Sequence, residues 1–106
     1  MLEDDPILQR FIRSVRDLRP QIRKIVLFGS RARGEELPWS DYDLLVLVER
    51  REQPLVDKID DAVVEIQADT GCDLSLKIIS QTEWDRRREA NSSFVANILR
   101  EGIVVG

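Results

Sequence analysis

The stretch "LFGSRARGEELPWSDYDLLVLV", residues 27–48, decides the fold because it joins two apolar runs through a polar turn. The run "IRKIVLFG" (22–29) is short, rich in β-branched residues and ends at glycine, which predicts a strand. The run "DLLVLVE" (43–49) is almost continuously apolar, as in a strand covered on both faces. Asp41 and Asp43 stand at the head of this second strand, where a buried strand has no structural need for two carboxylates.

The rest of the sequence predicts three longer helical segments, a short helical piece in the turn over residues 30–40, and one further strand. Capping residues and apolar periodicity place helices from about Pro6 to Arg19, from Pro54 to Gly71 and from about Thr82 to Arg100. Pro20 is expected to stop the first helix, and the "ANSS" segment (90–93) is a candidate break in the last. "CDLSLKIIS" (72–80) alternates as a half-buried strand does, and "IVVG" reads as an extended tail.

These elements predict an α/β (α+β) fold in the order α-β-α-β-α-β-α. A small mixed three-stranded sheet with helices packed against it is expected to form one domain over residues 1–106.

Composition limits the chemistry that this chain can perform. The 106 residues include no histidine, which excludes His-based acid–base catalysis, catalytic triads with His and His-ligated zinc. The net charge of −4 argues against a domain that binds nucleic-acid backbones non-specifically. The single cysteine, Cys72, suits a reducing compartment, and neither a membrane-spanning apolar run nor a leader sequence is recognised, so a cytoplasmic protein is expected.

The two aspartates and a third downstream suggest a metal site. Asp41 and Asp43 lie two residues apart, so their side chains point to one face of a strand about 6.6 Å apart. Such a pair suits Mg²⁺, which takes carboxylate oxygens, water and substrate phosphates. Asp73 can supply a third carboxylate if its strand lies beside the second strand. Three neighbouring carboxylates repel one another unless a cation neutralises them, so such a cluster would favour a bound metal ion.

The turn after the first strand has the complementary chemistry. Gly29 lets a ligand approach the backbone closely, and the Ser30 hydroxyl and the following amides can donate to phosphate oxygens. Arg31 and Arg33 add positive charge suited to phosphate contacts. Together, the turn and the acid pair suggest a site for a nucleoside triphosphate.

Other residues have two interpretations each. Asp41 and Asp43 could instead cap a turn or pair with arginine, and Lys77 could reach phosphate or form an ordinary salt bridge. Trp39 could stack on a nucleobase or a partner surface, or pack in the core. The run Arg86–Arg88 is a partner-binding patch or a solvated helix face.

The spacing Gly29-Ser30, ten residues, Asp41-x-Asp43 and then Leu44-Leu45-Val46 resembles the signature of the nucleotidyltransferase superfamily related to DNA polymerase β. Within this superfamily, the sequence looks most like the minimal nucleotidyltransferases (MNT), because the chain is short, contains the motif "GSRARGE" and closes with "ILREGIVV". Members of this family are commonly encoded beside HEPN-domain toxins. The resemblance implies that Gly29 and Ser30 form a phosphate-binding turn, with less specific matches at Arg31 and Arg33. It also implies that Asp41, Asp43 and Asp73 are metal-binding or catalytic carboxylates.

The resemblance also implies an activity. The expected reaction is Mg²⁺-dependent transfer of AMP from ATP to a hydroxyl of a partner protein, with release of pyrophosphate, in the antitoxin of a HEPN/MNT pair. An alternative is a non-catalytic antitoxin that neutralises its HEPN partner by complex formation. A transferase with a small-molecule or RNA acceptor shares the chemistry but is disfavoured, because the chain has no room for an acceptor domain and no evident basic face. A homodimer is possible as well.

Overall fold

The computed structural model describes residues 4–38 and 40–106, so the expectation for Trp39 lies outside the described residues. Helix α1 (Pro6–Ser14) begins as predicted, with Asp5 Oδ1 accepting from the amides of Ile7 and Leu8. The prediction that this helix runs to Arg19 is wrong. A 3₁₀ helix (Arg16–Gln21) follows instead and contains Pro20. Proline within the helix disrupts the regular α-helical bonding before it, so the tighter turn carries the chain to the first strand.

The sheet has four strands, one more than predicted. They are β1 (Ile22–Phe28), β2 (Tyr42–Val48), β3 (Leu74–Ser80) and β4 (Ile103–Val104), in the spatial order β3-β2-β1-β4. β1 runs antiparallel to β2 and β4, whereas β2 and β3 are parallel, so the sheet is mixed as expected. The "IVVG" tail therefore becomes an edge strand, because its amides and carbonyls pair with the outer edge of β1.

Four further helices connect the strands. They are α2 (Ser30–Arg33), α3 (Gln53–Thr70), α4 (Gln81–Glu89) and α5 (Ser93–Glu101). The break between α4 and α5 falls in the "ANSS" segment, where Asn91 takes a φ of 56°. Gly71 ends α3 in the left-handed conformation, as the sequence predicts.

Two apolar layers cover the two faces of the sheet. On one face, Leu44, Val46 and Val48 of β2 are buried against α1 and α3. On the other, Leu45 and Leu47 are buried in a smaller cluster formed with α4 and α5. Burial on both faces explains the continuous apolar run of β2, since each such side chain contributes about 2 kcal/mol by leaving water.

The alternation of side chains along β2 fixes the direction of the acid pair. Side chains alternate between the two faces of a strand, so Asp43 lies on the same face as Leu45 and Leu47, which α4 and α5 cover. Among residues 4–38 and 40–106, no helix is long and apolar enough to cross a membrane.

Candidate active site

Gly29 brings the turn after β1 against the head of β2. Its φ of 75° and ψ of −158° lie in a region that essentially only glycine adopts. Phe28 pairs with Asp43 across the two strands. A Cβ added to Gly29 would lie 2.2 Å from Asp43 Oδ2, so the carboxylate packs directly on the glycine backbone. The turn and the acid pair, which the sequence predicts as two parts of one site, therefore meet at Gly29 and Asp43.

The environment of Asp43 disfavours its own negative charge. Burial raises the pKa of this carboxyl, and the nearby charge of Asp41 raises the pKa further. Arg33 and Lys77 lower it in part. Neither aspartate forms a salt bridge within the part of the chain that the structure describes. The pair is thus a source of negative charge, partly buried at Asp43, that Arg33 and Lys77 compensate only in part.

On the neighbouring strand β3, the residues beside the pair are Ser75 and Lys77. Asp43 is in register with Ser75 and Leu45 with Lys77, so both β3 residues share the face of Asp43. The influence of Lys77 on the pKa of Asp43 agrees with this placement. The sequence left Lys77 ambiguous, and only the register between β2 and β3 shows that it belongs to the site.

Asp73 lies outside β3, one residue before its first residue, Leu74. Its carboxylate Oδ1 accepts a hydrogen bond from Gln67 of α3, and its backbone carbonyl accepts from the amide of Tyr42. Over residues 4–38 and 40–106 there is no group of three Asp, Glu, Cys or His side chains arranged to hold a metal ion. The expected cluster of three carboxylates is therefore not assembled in this geometry, in which Asp73 is engaged with Gln67.

Arg31 points away from the open turn and is engaged within the fold. Its Nε and Nη2 donate to the carbonyl of Ser40 at 3.0 and 2.8 Å. Its guanidinium carbon lies 4.0 Å from the centroid of the Tyr42 ring. A bidentate phosphate contact through Nε and Nη2 would require this guanidinium to leave the carbonyl of Ser40.

Arg33 is also paired, though at the surface. It forms salt bridges with Glu35 at 2.5 Å and with Glu101 of α5 at 3.3 Å. These two hydrogen-bonded carboxylates raise the pKa of Arg33, which stays charged. Because the pairs are exposed, each is worth little stability and can be exchanged for a phosphate.

A cavity of about 250 Å³ extends the site from Gly29 towards α5. Phe28 and Phe94 form one wall with rings packed edge to face at 5.8 Å, and Asn97 and Glu101 contribute polar groups. This volume is smaller than that of a pocket enclosing a whole small-molecule ligand, which is about 300–1,000 Å³. A nucleotide would thus lie largely over the open edge of the site.

The donor set fits a hard divalent cation such as Mg²⁺. Asp43 at the head of β2 and Asp41 just before it carry like charges, and neither forms a salt bridge in the described residues. Burial and then the charge of Asp41 raise the pKa of Asp43, so a cation between the two carboxylates would relieve their repulsion. Mg²⁺ is commonly held by one or two carboxylates, with water and substrate phosphates as the other ligands.

Comparison with known proteins agrees with this geometry. The nucleotidyltransferase domain family matches residues 8–104. A relative from Methanocaldococcus jannaschii, named "Putative protein adenylyltransferase MJ0604", is 28% identical over 105 residues, covering 98% of this chain and 99% of the relative.

Solved structures share the fold at lower identity. A toxin–antitoxin bound to AMP-PNP superposes with a TM-score of 0.61 at 20% identity, over 92% of this chain and 70% of that one. A complex of a tri-AMPylated Shewanella oneidensis HEPN toxin with its MNT antitoxin gives 0.54 at 17% identity, over 92% and 67% of the respective chains. The family match covers nearly the whole chain and includes both halves of the site, and the chain therefore belongs to the nucleotidyltransferase domain family.

Proposed function

We propose that this chain transfers AMP from ATP to a hydroxyl of a partner protein and acts as the antitoxin of a HEPN toxin in the cytoplasm. The observation that carries the proposal is the contact between Asp43 and Gly29, which joins a carboxylate pair to a glycine turn in one surface. Support for the acceptor comes from the archaeal relative, which is named as a protein adenylyltransferase, and from the AMPylated HEPN toxin bound to a chain of similar fold.

In the proposed mechanism, the Gly29-Ser30 turn binds the β- and γ-phosphates. The carbonyl of Gly29 accepts from the amides of Ala32 and Arg33, so the amides of Ser30 and Arg31 precede the first donors of α2. These two amides and the Ser30 hydroxyl are the donors for phosphate oxygens.

The carboxylates of Asp41 and Asp43 would hold Mg²⁺. When bound, the cation would neutralise the triphosphate and polarise the α-phosphate. Lys77, on the same face, adds a positive charge close to Asp43, where the leaving pyrophosphate gains charge.

The transfer itself is an in-line displacement. The acceptor oxygen forms a bond to the α-phosphorus, the bond from that phosphorus to the bridging oxygen of the β-phosphate breaks, and pyrophosphate leaves. The hydroxyl proton passes to a base, and the family resemblance gives this role to Asp73, which would first release Gln67. Positioning and electrostatic stabilisation supply most of the rate in such reactions.

The partner is expected to cover the helical side of the smaller apolar cluster. Leu99 of α5 and Val104 of β4 are each more than 60% exposed although they are large and apolar. They border a groove of about 220 Å³ whose floor includes Leu45, Leu47 and Trp84. Such a patch on a small domain favours a protein partner or a second copy of the chain.

The decisive experiment incubates the purified chain with ATP, Mg²⁺ and a HEPN-domain partner and measures the mass of the partner. A gain of one or more AMP residues is expected, and Asp41→Asn or Asp43→Asn should abolish this gain without unfolding the chain. Undiminished transfer by these variants would exclude the assigned site.

The engagement of Asp73 with Gln67, with no group of three carboxylates in the described residues, specifically favours one alternative. This alternative is a non-catalytic antitoxin that neutralises the HEPN protein by binding. It predicts a tight complex, no mass gain on the partner, and neutralisation that Asp43→Asn leaves intact.

A further inference from the structure

Arg31 joins two points of the chain that flank the acid pair. Its Nε and Nη2 both donate to the carbonyl of Ser40, the residue immediately before Asp41. Its guanidinium also stacks on the ring of Tyr42, the residue between Asp41 and Asp43. One side chain thus contacts both neighbours of Asp41 in the sequence.

Tyr42 extends this contact to the first helix. The side chain is buried, and its hydroxyl donates to Asp5 Oδ2 at 2.8 Å, while Asp5 Oδ1 caps α1. Arg31, Tyr42 and Asp5 tie the turn after β1, the head of β2 and the start of α1 together.

Much of the described part of the segment between Arg31 and Ser40 is exposed. Residues 34–38 are exposed, and a local turn holds the segment through two hydrogen bonds between Leu37 and Ser40. Asp41 follows this turn directly and is itself exposed. The bond from Arg31 to the Ser40 carbonyl therefore adds to the Leu37–Ser40 turn and to the start of β2 as a restraint on the backbone beside Asp41.

We propose that Arg31 is a positioning residue that fixes Asp41 and Asp43 for cation binding, and that it does not bind phosphate. The inference rests on the proposed function of the aspartate pair. A residue that orients metal ligands in this way typically changes metal affinity or activity by about 10–100-fold when it is removed. A phosphate ligand would instead change the affinity for ATP.

The test compares Arg31→Met with the wild-type chain in three measurements. Arg31→Met keeps an unbranched side chain against Tyr42 but removes both donors and the charge. Arg23→Met is the matched control, because Arg23 forms an exposed pair with Glu49 at the other end of β1. The measurements are amide hydrogen exchange at residues 35–43, Mn²⁺ affinity of the free protein from water relaxation, and the KM for ATP and kcat of partner modification.

The proposal predicts faster exchange around Ser40 and Asp41, Mn²⁺ affinity about tenfold weaker, kcat about tenfold lower, and a KM for ATP within about twofold of the wild-type value. Arg31→Lys should be intermediate, since an ammonium keeps the charge but neither stacks nor donates as a planar guanidinium does. Arg23→Met should match the wild type in all three measurements.

Two results would overturn the proposal. One is unchanged hydrogen exchange around Ser40 in Arg31→Met, which needs no metal and no transfer activity to be observed. The other is a raised KM for ATP with unchanged Mn²⁺ affinity, which would identify Arg31 as a phosphate ligand. Failure of the proposed function is distinguishable, because a wild-type chain that modifies no partner can still show the exchange difference between Arg31→Met and Arg23→Met.

Discussion

Replacing Gly29 by alanine perturbs both halves of the site through one methyl group. Alanine at a φ of 75° and a ψ of −158° costs about 1–3 kcal/mol of folding free energy, because this backbone region is essentially restricted to glycine. The new Cβ would also stand 2.2 Å from Asp43 Oδ2. An ordinary contact needs about 3.4 Å between such atoms, so the carboxylate must move by about 1 Å.

The two consequences differ in size. A loss of 1–3 kcal/mol lowers the midpoint of thermal unfolding by roughly 4 °C per kcal/mol for a chain of this length, and most molecules stay folded at 25 °C. A displacement of about 1 Å at a reacting group costs about 100-fold in rate. We therefore expect Gly29→Ala to be a folded protein whose transfer rate falls by about 100-fold and whose affinity for Mn²⁺ falls with it.

Gly71→Ala is the matched control. Gly71 has a φ of 74°, and a Cβ added there meets nothing within 4 Å, so this variant carries the backbone cost of a positive φ without a clash with Asp43, although Asp73 follows two residues later. Both variants should lose stability in urea unfolding, but only Gly29→Ala should lose transfer. If the two variants modify the partner equally well, the contact between Gly29 and Asp43 is irrelevant to the chemistry and the reasoning is refuted.

Three further substitutions test the electrostatics of the site. The pKa of Asp43 is raised in the folded chain, so folding disfavours ionisation of this carboxyl. The free energy of unfolding therefore falls as the pH rises from the unfolded-state pKa of about 3.9 through the folded-state pKa. At pH 7, Asp43→Asn should therefore unfold at a temperature equal to or higher than that of the wild type, and its stability should not fall with pH in this range. It should also transfer no AMP. A lower unfolding temperature than that of the wild type would contradict the predicted direction of the effect. Asp73→Asn should lower kcat by about 100-fold or more, because the proposed mechanism gives Asp73 the role of base; a smaller loss would leave its carboxylate with Gln67 and remove that role. Lys77→Met should lower kcat about tenfold in steady-state assays, because the charge that stabilises the leaving pyrophosphate is lost, and an unchanged kcat would remove Lys77 from the site.

The parts of the fold that follow from local pattern are visible in the sequence. The apolar runs before and after the turn, the capping aspartate of α1 and Gly71 at the end of α3 depend on neighbouring residues alone. These features are confirmed by the structure. The positive φ of Gly29 is a finding of the structure, because the sequence indicates only that a ligand can approach its backbone closely.

The parts that depend on pairing between distant segments could not be predicted. Asp73 and Ser75 are equally plausible neighbours of Asp43 until the register of β2 and β3 is known. Arg31 donates to the carbonyl of Ser40, nine residues further along the chain, and from the sequence alone a phosphate is an equally suitable acceptor for this guanidinium. The strand β4 is too short to be recognised without β1 beside it.

The pairing of β4 with β1 has a consequence for the order in which the chain can fold. β1 carries Gly29 at its end, and its outer edge is closed by residues about three-quarters of the chain length further on. During synthesis the opposite edge of β1 can pair with β2 early, but the outer edge stays open until Ile103 and Val104 emerge from the ribosome. The nascent chain therefore passes through a stage in which the strand that carries the glycine turn presents a free edge to other chains.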